Sequence, residues 1–128
     1  MANVLVTGGA GYVGSVCCTE LLRAGHSVAV VDDLSTGFRE AVPRGAAFFQ
    51  ADIGDRAALQ PLLSHSHFDA VFHFAAKALI PESVSNPGIF FQQNVASGIA
   101  FLESVRAAVH TRNFVRGPAK AATPGRFR

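Results

Sequence analysis

The stretch Val4–Cys18, V-L-V-T-G-G-A-G-Y-V-G-S-V-C-C, decides how this 128-residue chain is read. It opens on a short apolar run of β-formers, Asn3–Val6, suited to a strand buried on both faces. Tyr12–Ala24 then has helical spacing, with Val13, Val16, Leu21 and Leu22 on its apolar side and Gly25 and His26 closing it. The glycines between strand and helix fit two overlapping registers, Gly9-x-Gly11-x-x-Gly14 and Thr7-Gly8-x-x-Gly11-x-x-Gly14. Either one makes a tight turn at the strand end, lets backbone approach a pyrophosphate, and lets the helix pack closely at Gly14. The helix start adds free N–H groups and a positive dipole end. A plain strand-turn-helix unit uses such glycines too, so the flanking sequence has to decide.

It does so at the second strand. Ser27–Val31 is another buried run, ended by Asp32 and Asp33, and Asp32 lies 18 residues past Gly14. That is close to the roughly 20-residue separation of the acid that hydrogen-bonds an adenosine ribose. A carboxylate there repels the 2′-phosphate of NADP, Asp33 adds to the repulsion, and no arginine lies within five residues. NAD is the expected cofactor.

The rest of the chain extends the pattern. Ala46–Gln50 reads as a third strand, followed by Asp52, and Asp55 caps a helix that runs to about Ser64 across Pro61. Ala70–Ala75 is a fourth strand, and a polar then helical stretch runs from about Pro87 to Ala108. Strands alternating with helices predict an α/β fold: a doubly wound, Rossmann-type parallel sheet with helices on both faces. The expected strand order is 3-2-1-4, incomplete unless Asn113–Val115 begins a fifth strand, and it leaves the outer edge of the fourth strand open. Residues 1–108 form the expected cofactor-binding portion. Residues 109–128 diverge from the pattern, and Arg116–Arg128 reads as an unstructured tail of Arg, Ala, Gly and Pro.

Composition narrows the class. With 49% hydrophobic and 16% charged residues the chain can bury a core, and a net charge of +2 gives no argument for nucleic acid. No apolar run is long enough for a membrane span and no basic leader precedes one, so a cytoplasmic protein is expected. Cys17 and Cys18 read as buried thiols, and no metal-ligand spacing occurs.

Other candidates stay open on residues alone. Asp52 reads either as an acceptor for the adenine amino group or as a loop aspartate. Phe74–Ala76 falls where small residues let a cofactor lie against the sheet edge. Lys77 reads as a phosphate contact or a surface lysine. His73, inside an apolar strand, reads as a structural histidine before a general base, and His65 and His67 as solvated loop residues.

Five segments together resemble the N-terminal half of the extended short-chain dehydrogenase/reductases. They are T-G-G-A-G-Y-V-G-S, V-D-D-L-S-T-G, A-D-I-G-D, H-F-A-A-K-A-L-I-P-E-S-V-S-N-P and Q-N-V-A-S-G. The resemblance covers about Asn3 to Ala108, most like the UDP-glucose 4-epimerases as a whole, and the H-F-A-A segment with Glu82-Ser83, Pro87 and Asn94-Val95 narrows it toward the sugar-nucleotide epimerases. It implies NAD contacts at Gly8, Gly11, Tyr12, Val13, Gly14, Asp32, Asp33, Leu34, Ser35, Thr36, Asp52, Ile53, Phe74, Ala75, Ala76 and Lys77. It further implies Asn94 in the following helix, and Ser83 near the sugar-nucleotide side.

The implied reaction interconverts UDP-glucose and UDP-galactose through a 4-keto sugar. A tyrosine, kept as phenolate by a lysine four residues later, takes the 4-hydroxyl proton while hydride passes to the nicotinamide. A UDP-sugar partner and a homodimer are implied for the full-length enzyme. Here the sequence departs from the family: Tyr12 is the only tyrosine, and Val16 stands four residues after it. No catalytic residue is therefore assigned, and the chain reads as the product of a truncated or frame-shifted gene, inactive alone. The alternatives are a stand-alone NAD-binding or interaction module, or part of another sugar-nucleotide epimerase or dehydratase.

Overall fold

The computed structural model describes residues 1–115, with side chains described through Val109. The strands are β1 (Asn3–Thr7), β2 (Ser27–Asp32), β3 (Ala47–Gln50) and β4 (Ala70–His73). The helices are α1 (Tyr12–Arg23), α2 (Arg56–His65), α3 (Ile80–Ser85), α4 (Pro87–Phe91) and α5 (Ser97–Val115). A π-helical turn, Gln92–Ala96, joins α4 to α5, and a 3-10 turn at Arg39–Ala41 lies between β2 and β3. All strand pairs are parallel and the order is β3-β2-β1-β4, as the alternation of strand and helix predicts.

The central strands are apolar because both of their faces are covered. Val4 and Val6 of β1 pack with Val28 and Val30 of β2, with Ala10 and with Cys18 of α1. Leu5, Ala29 and Val31 pack on the opposite face with Leu59, Leu62 and Leu63 of α2 and Phe101 of α5. Alternation along each strand sends successive side chains to opposite layers. Each fully buried side chain of this size contributes about 1.5–3 kcal/mol. Asp55 caps α2 by accepting from the Ala58 amide, and the helix carries Pro61 in its interior.

Two sequence expectations need correction. Val13 and Val16 are not on the buried side of α1; they are 60% and 51% exposed. The inward seam is Gly14 and Cys18, small residues one turn apart, which bring the helix close to the sheet and turn the valines away. Burial also pushes the Cys18 thiol up to about 11, and the neighbouring Cys17 adds to the rise, so it stays protonated. Cys17 is only half-buried. The second correction is at the end of the described chain: Asn113–Val115 continues α5 and forms no fifth strand. Nothing in Arg106–Val115 breaks a helix, the next glycine and proline being Gly117 and Pro118. The expected unstructured tail, Arg116–Arg128, lies outside the described residues.

The outer edge of β4 is unpaired among the described residues, and Val71 and Phe72 are each 38% exposed there. No described helix is long and apolar enough to cross a membrane. No described cluster of histidine, cysteine and carboxylate residues could hold a metal ion.

Candidate functional site

The strand ends converge on one cleft. The turn after β1 brings Gly8, Gly11, Tyr12, Val13 and Gly14 to its wall, and the loops after β2 and β3 bring Asp32, Asp33, Ser35, Thr36, Asp52 and Ile53. Phe74, Ala75, Ala76 and Lys77, just past β4, close the side at the β4 end. The open volume is about 270 Å³. Such a crevice at the carboxyl ends of parallel strands, where chain direction switches, is where open α/β sheets bind ligands.

Backbone geometry explains two of the glycines. Gly8 has φ of +73°, and a Cβ there would lie 2.6 Å from the Ala75 nitrogen and the Phe74 carbonyl carbon. The turn is thus pressed against the end of β4, in a conformation side chains rarely adopt. A Cβ on Gly14 would overlap the Gly8 carbonyl, so α1 starts in direct backbone contact with the turn. Gly11 occupies the N-cap of α1 without a side-chain cap, and no acidic residue sits in the first turn. The amides and positive end of that turn are free to meet anionic oxygen.

Three aspartates shape the opposite wall, each fastened to backbone. Asp32 is buried, and its two oxygens accept from the amides of Ala10 and Leu34, both at 2.9 Å. It therefore ties the glycine turn to the loop after β2, and each oxygen keeps a further lone pair. Asp33 accepts from the Ser35 amide at 2.9 Å and Asp52 from the Gly54 amide at 2.8 Å. Changing Asp32 to asparagine places an NH2 group against one of those amides. The expected outcome is a stability loss of about 1.5–3 kcal/mol, the worth of a hydrogen bond to a charged acceptor, read by urea denaturation.

Three sequence-expected residues stand outside the cleft wall. Leu34, at φ of +60°, turns its side chain into the apolar layer beside α1. The Asn94 amide is engaged with the Lys77 backbone, accepting from its N–H at 2.8 Å and donating to its carbonyl at 2.9 Å. It pins the segment after β4 rather than facing the cavity. The Ser83 hydroxyl donates to the Ile80 carbonyl within α3. Conversely, Gly37, Ala51, Ala78 and Gln93 line the cleft without having been singled out. Each is next to an expected residue, and the only signal was that adjacency.

His73 ends β4, exposed on one side and outside the cleft wall. Its Nδ1 is 2.7 Å from the Thr7 hydroxyl, and its ring stacks on Phe101 with centroids 5.4 Å apart. Partial burial holds the imidazole below its ordinary value of 6.5. A histidine that protonates less readily when folded contributes stability that is full above the unfolded value and lost as pH falls toward the folded one. Chemical denaturation from about pH 7.5 to about pH 5.5 should show stability falling in the wild type, and falling less in His73→Phe.

Comparison with known proteins agrees with this geometry. The family model described as NAD dependent epimerase/dehydratase family matches residues 4–120. A UDP-glucose 4-epimerase of Corynebacterium glutamicum is 43% identical over 123 residues, 96% of this chain and 36% of the relative. One from Streptomyces lividans is 47% identical over 105 residues, 81% of this chain and 32% of the relative. Among solved structures, UDP-glucose 4-epimerase from Stenotrophomonas maltophila, with bound NAD and formylated UDP-arabinopyranose, superposes with a TM-score of 0.81. It is 40% identical, over 85% of this chain and 34% of that one. The chain thus spans about a third of the length of these relatives. With the family model matching residues 4–120, nearly the whole of the 128-residue chain, the chain belongs to the NAD-dependent epimerase/dehydratase family.

Proposed function

We propose that this chain is the NAD-binding portion of an enzyme of the UDP-glucose 4-epimerase type. The observation that carries the reading is the pairing, across one cleft, of an uncapped helix start behind a glycine turn with the buried carboxylate Asp32. The first suits a pyrophosphate and the second a ribose diol. The fit is supported by the close backbone approach at Gly8 and Gly14, which keeps the turn free of side chains. Asp32 and Asp33 both line the cleft, and among the described residues of its wall Lys77 is the only cationic side chain, with no arginine to accept a 2′-phosphate. NAD supplies hydride acceptance at its nicotinamide when bound. The residues of this chain bind and orient it: the amides of the first turn of α1 at the phosphates, Asp32 at the ribose, and Ala75 and Ala76 as a low wall beside the β4 end.

Substrate chemistry belongs to the whole protein. A UDP-sugar is its proposed substrate, with Ser83 on α3 as the contact on the sugar-nucleotide side, in a cytoplasmic enzyme that forms a homodimer. With Tyr12 as its sole tyrosine and no lysine four residues on, this chain lacks the proton-transfer pair that the family resemblance requires. Calorimetric titration with NAD and NADP tests the cofactor reading. NAD is expected to bind, and NADP to bind at least about tenfold more weakly through repulsion at Asp32 and Asp33. Equal affinity for the two overturns the assignment. Turnover of UDP-galactose by the purified chain would overturn its inactivity.

A further inference from the structure

The hydrogen-bond arithmetic at Thr7 assigns a role to His73 that the cleft wall does not reveal. The Thr7 side chain is fully buried. Its oxygen accepts from the Ala75 amide at 3.4 Å and lies 2.7 Å from His73 Nδ1. A hydroxyl carries one proton, and an amide N–H can only donate. With Ala75 donating to the oxygen, the Thr7 proton has one acceptor among the described residues, His73 Nδ1. That requires an unprotonated Nδ1, so a neutral ring carries its proton on Nε2. If Nδ1 were protonated, two donors would face one oxygen and the buried hydroxyl proton would have no partner, a penalised arrangement.

We propose that His73 is a positioning residue for the glycine turn, acting through Thr7. Neutral His73 orients the Thr7 hydroxyl, which then receives the Ala75 amide, while the Thr7 carbonyl accepts from Phe74 at 2.9 Å. These links hold the segment after β4 against Gly8, where there is no room for even a Cβ. Protonating His73 inverts the polarity of the first link and loosens the wall shared by turn and strand. Among the described residues the surroundings offer no competing charge. β1 and β4 carry no other ionisable side chain, and on α5 through Val109 Glu103 and Arg106 are exposed and paired with each other at 2.8 Å. Phe101 covers one ring face, and Lys77 stands in the cleft wall beyond the strand end. The consequence for cofactor affinity rests on the NAD reading above; the polarity of the Thr7 link does not.

Nitrogen-15 NMR of the full chain without ligand tests the link directly. The expected spectrum shows an unprotonated Nδ1 at about pH 7.5, with the Gly8 and Ala75 amide signals moving together as His73 titrates. A protonated Nδ1 in the neutral ring, or amides that ignore the titration, overturns the proposal whether or not NAD binds. For affinity, wild-type binding should weaken about fivefold or more between about pH 7.5 and about pH 5.5. His73→Asn, which keeps an acceptor near Nδ1 but cannot titrate, should bind with a flat pH profile. Thr7→Ser should behave as wild type and Thr7→Val should bind weakly at every pH. A sloping profile in His73→Asn equal to that of wild type also overturns the proposal. Failure of the wild type to bind NAD overturns the cofactor reading instead, and leaves the NMR result to decide the link.

Discussion

Gly14→Ala is expected to weaken NAD binding by more than about tenfold and to lower the unfolding free energy by about 1–3 kcal/mol. The added Cβ would overlap the Gly8 carbonyl and sit 2.9 Å from the Gly9 Cα. These are backbone atoms, which cannot rotate aside as a side-chain end can. Either α1 moves off the sheet or the turn deforms, and both displace the amides proposed to meet the pyrophosphate. Gly98→Ala is the matched control. It lies in α5 with nothing within 4 Å of an added Cβ, so the helix should gain about 0.5–1 kcal/mol. Calorimetry and urea denaturation on both variants separate the effects. Wild-type affinity in Gly14→Ala would refute the proposed cradle.

Phe101→Ala is expected to lose about 3–5 kcal/mol, a large share of the roughly 5–15 kcal/mol available to a small domain. Among the described residues Phe101 is the largest fully buried side chain, and it joins α5 to the layer formed by Leu5, Val31 and Leu59. It is also the ring on which His73 stacks. Its removal opens a cavity between α5 and the sheet and strips cover from the imidazole. The adjacent Leu102 is 66% exposed, and Leu102→Ala should change stability by less than about 0.5 kcal/mol. A loss under about 1 kcal/mol in Phe101→Ala would mean that α5 is not anchored there.

What was legible in the sequence was whatever depends on short-range pattern. Apolar runs gave the four strands within a residue or two, most clearly in β1 and β2, whose burial on both faces admits few polar side chains. Glycine spacing and Asp32 pointed to the cleft, because a turn pressed this close to β4 needs bare backbone and Asp32 stands at the end of the next strand, tied to that turn. The placements that pattern could not give came where neighbours in space decide. Val13 and Val16 looked buried by periodicity, but the seam of α1 is set by Gly14 and Cys18, the residues small enough to let it approach. Leu34 sits in a segment that reads as a ligand loop, yet its left-handed backbone turns the side chain into the core. Asn94 lies on a π-helical turn that no propensity announces, and its partner is the Lys77 backbone 17 residues earlier. The Thr7–His73 bond joins residues 66 apart and had no local signal at all.

That separation also bears on how the chain is made. β1 is the first of the four described strands to leave the ribosome, and it occupies an interior place in the sheet, between β2 and β4. β2 follows soon after, but Ala70, which pairs with Val4, is synthesised much later. At about 5–20 residues per second, Thr7 waits roughly 3 to 13 seconds for His73. During that interval one edge of β1 has no partner, and the glycine turn has nothing to rest against. The ligand crevice is therefore among the last features to assemble during translation, although the sequence that announces it comes first.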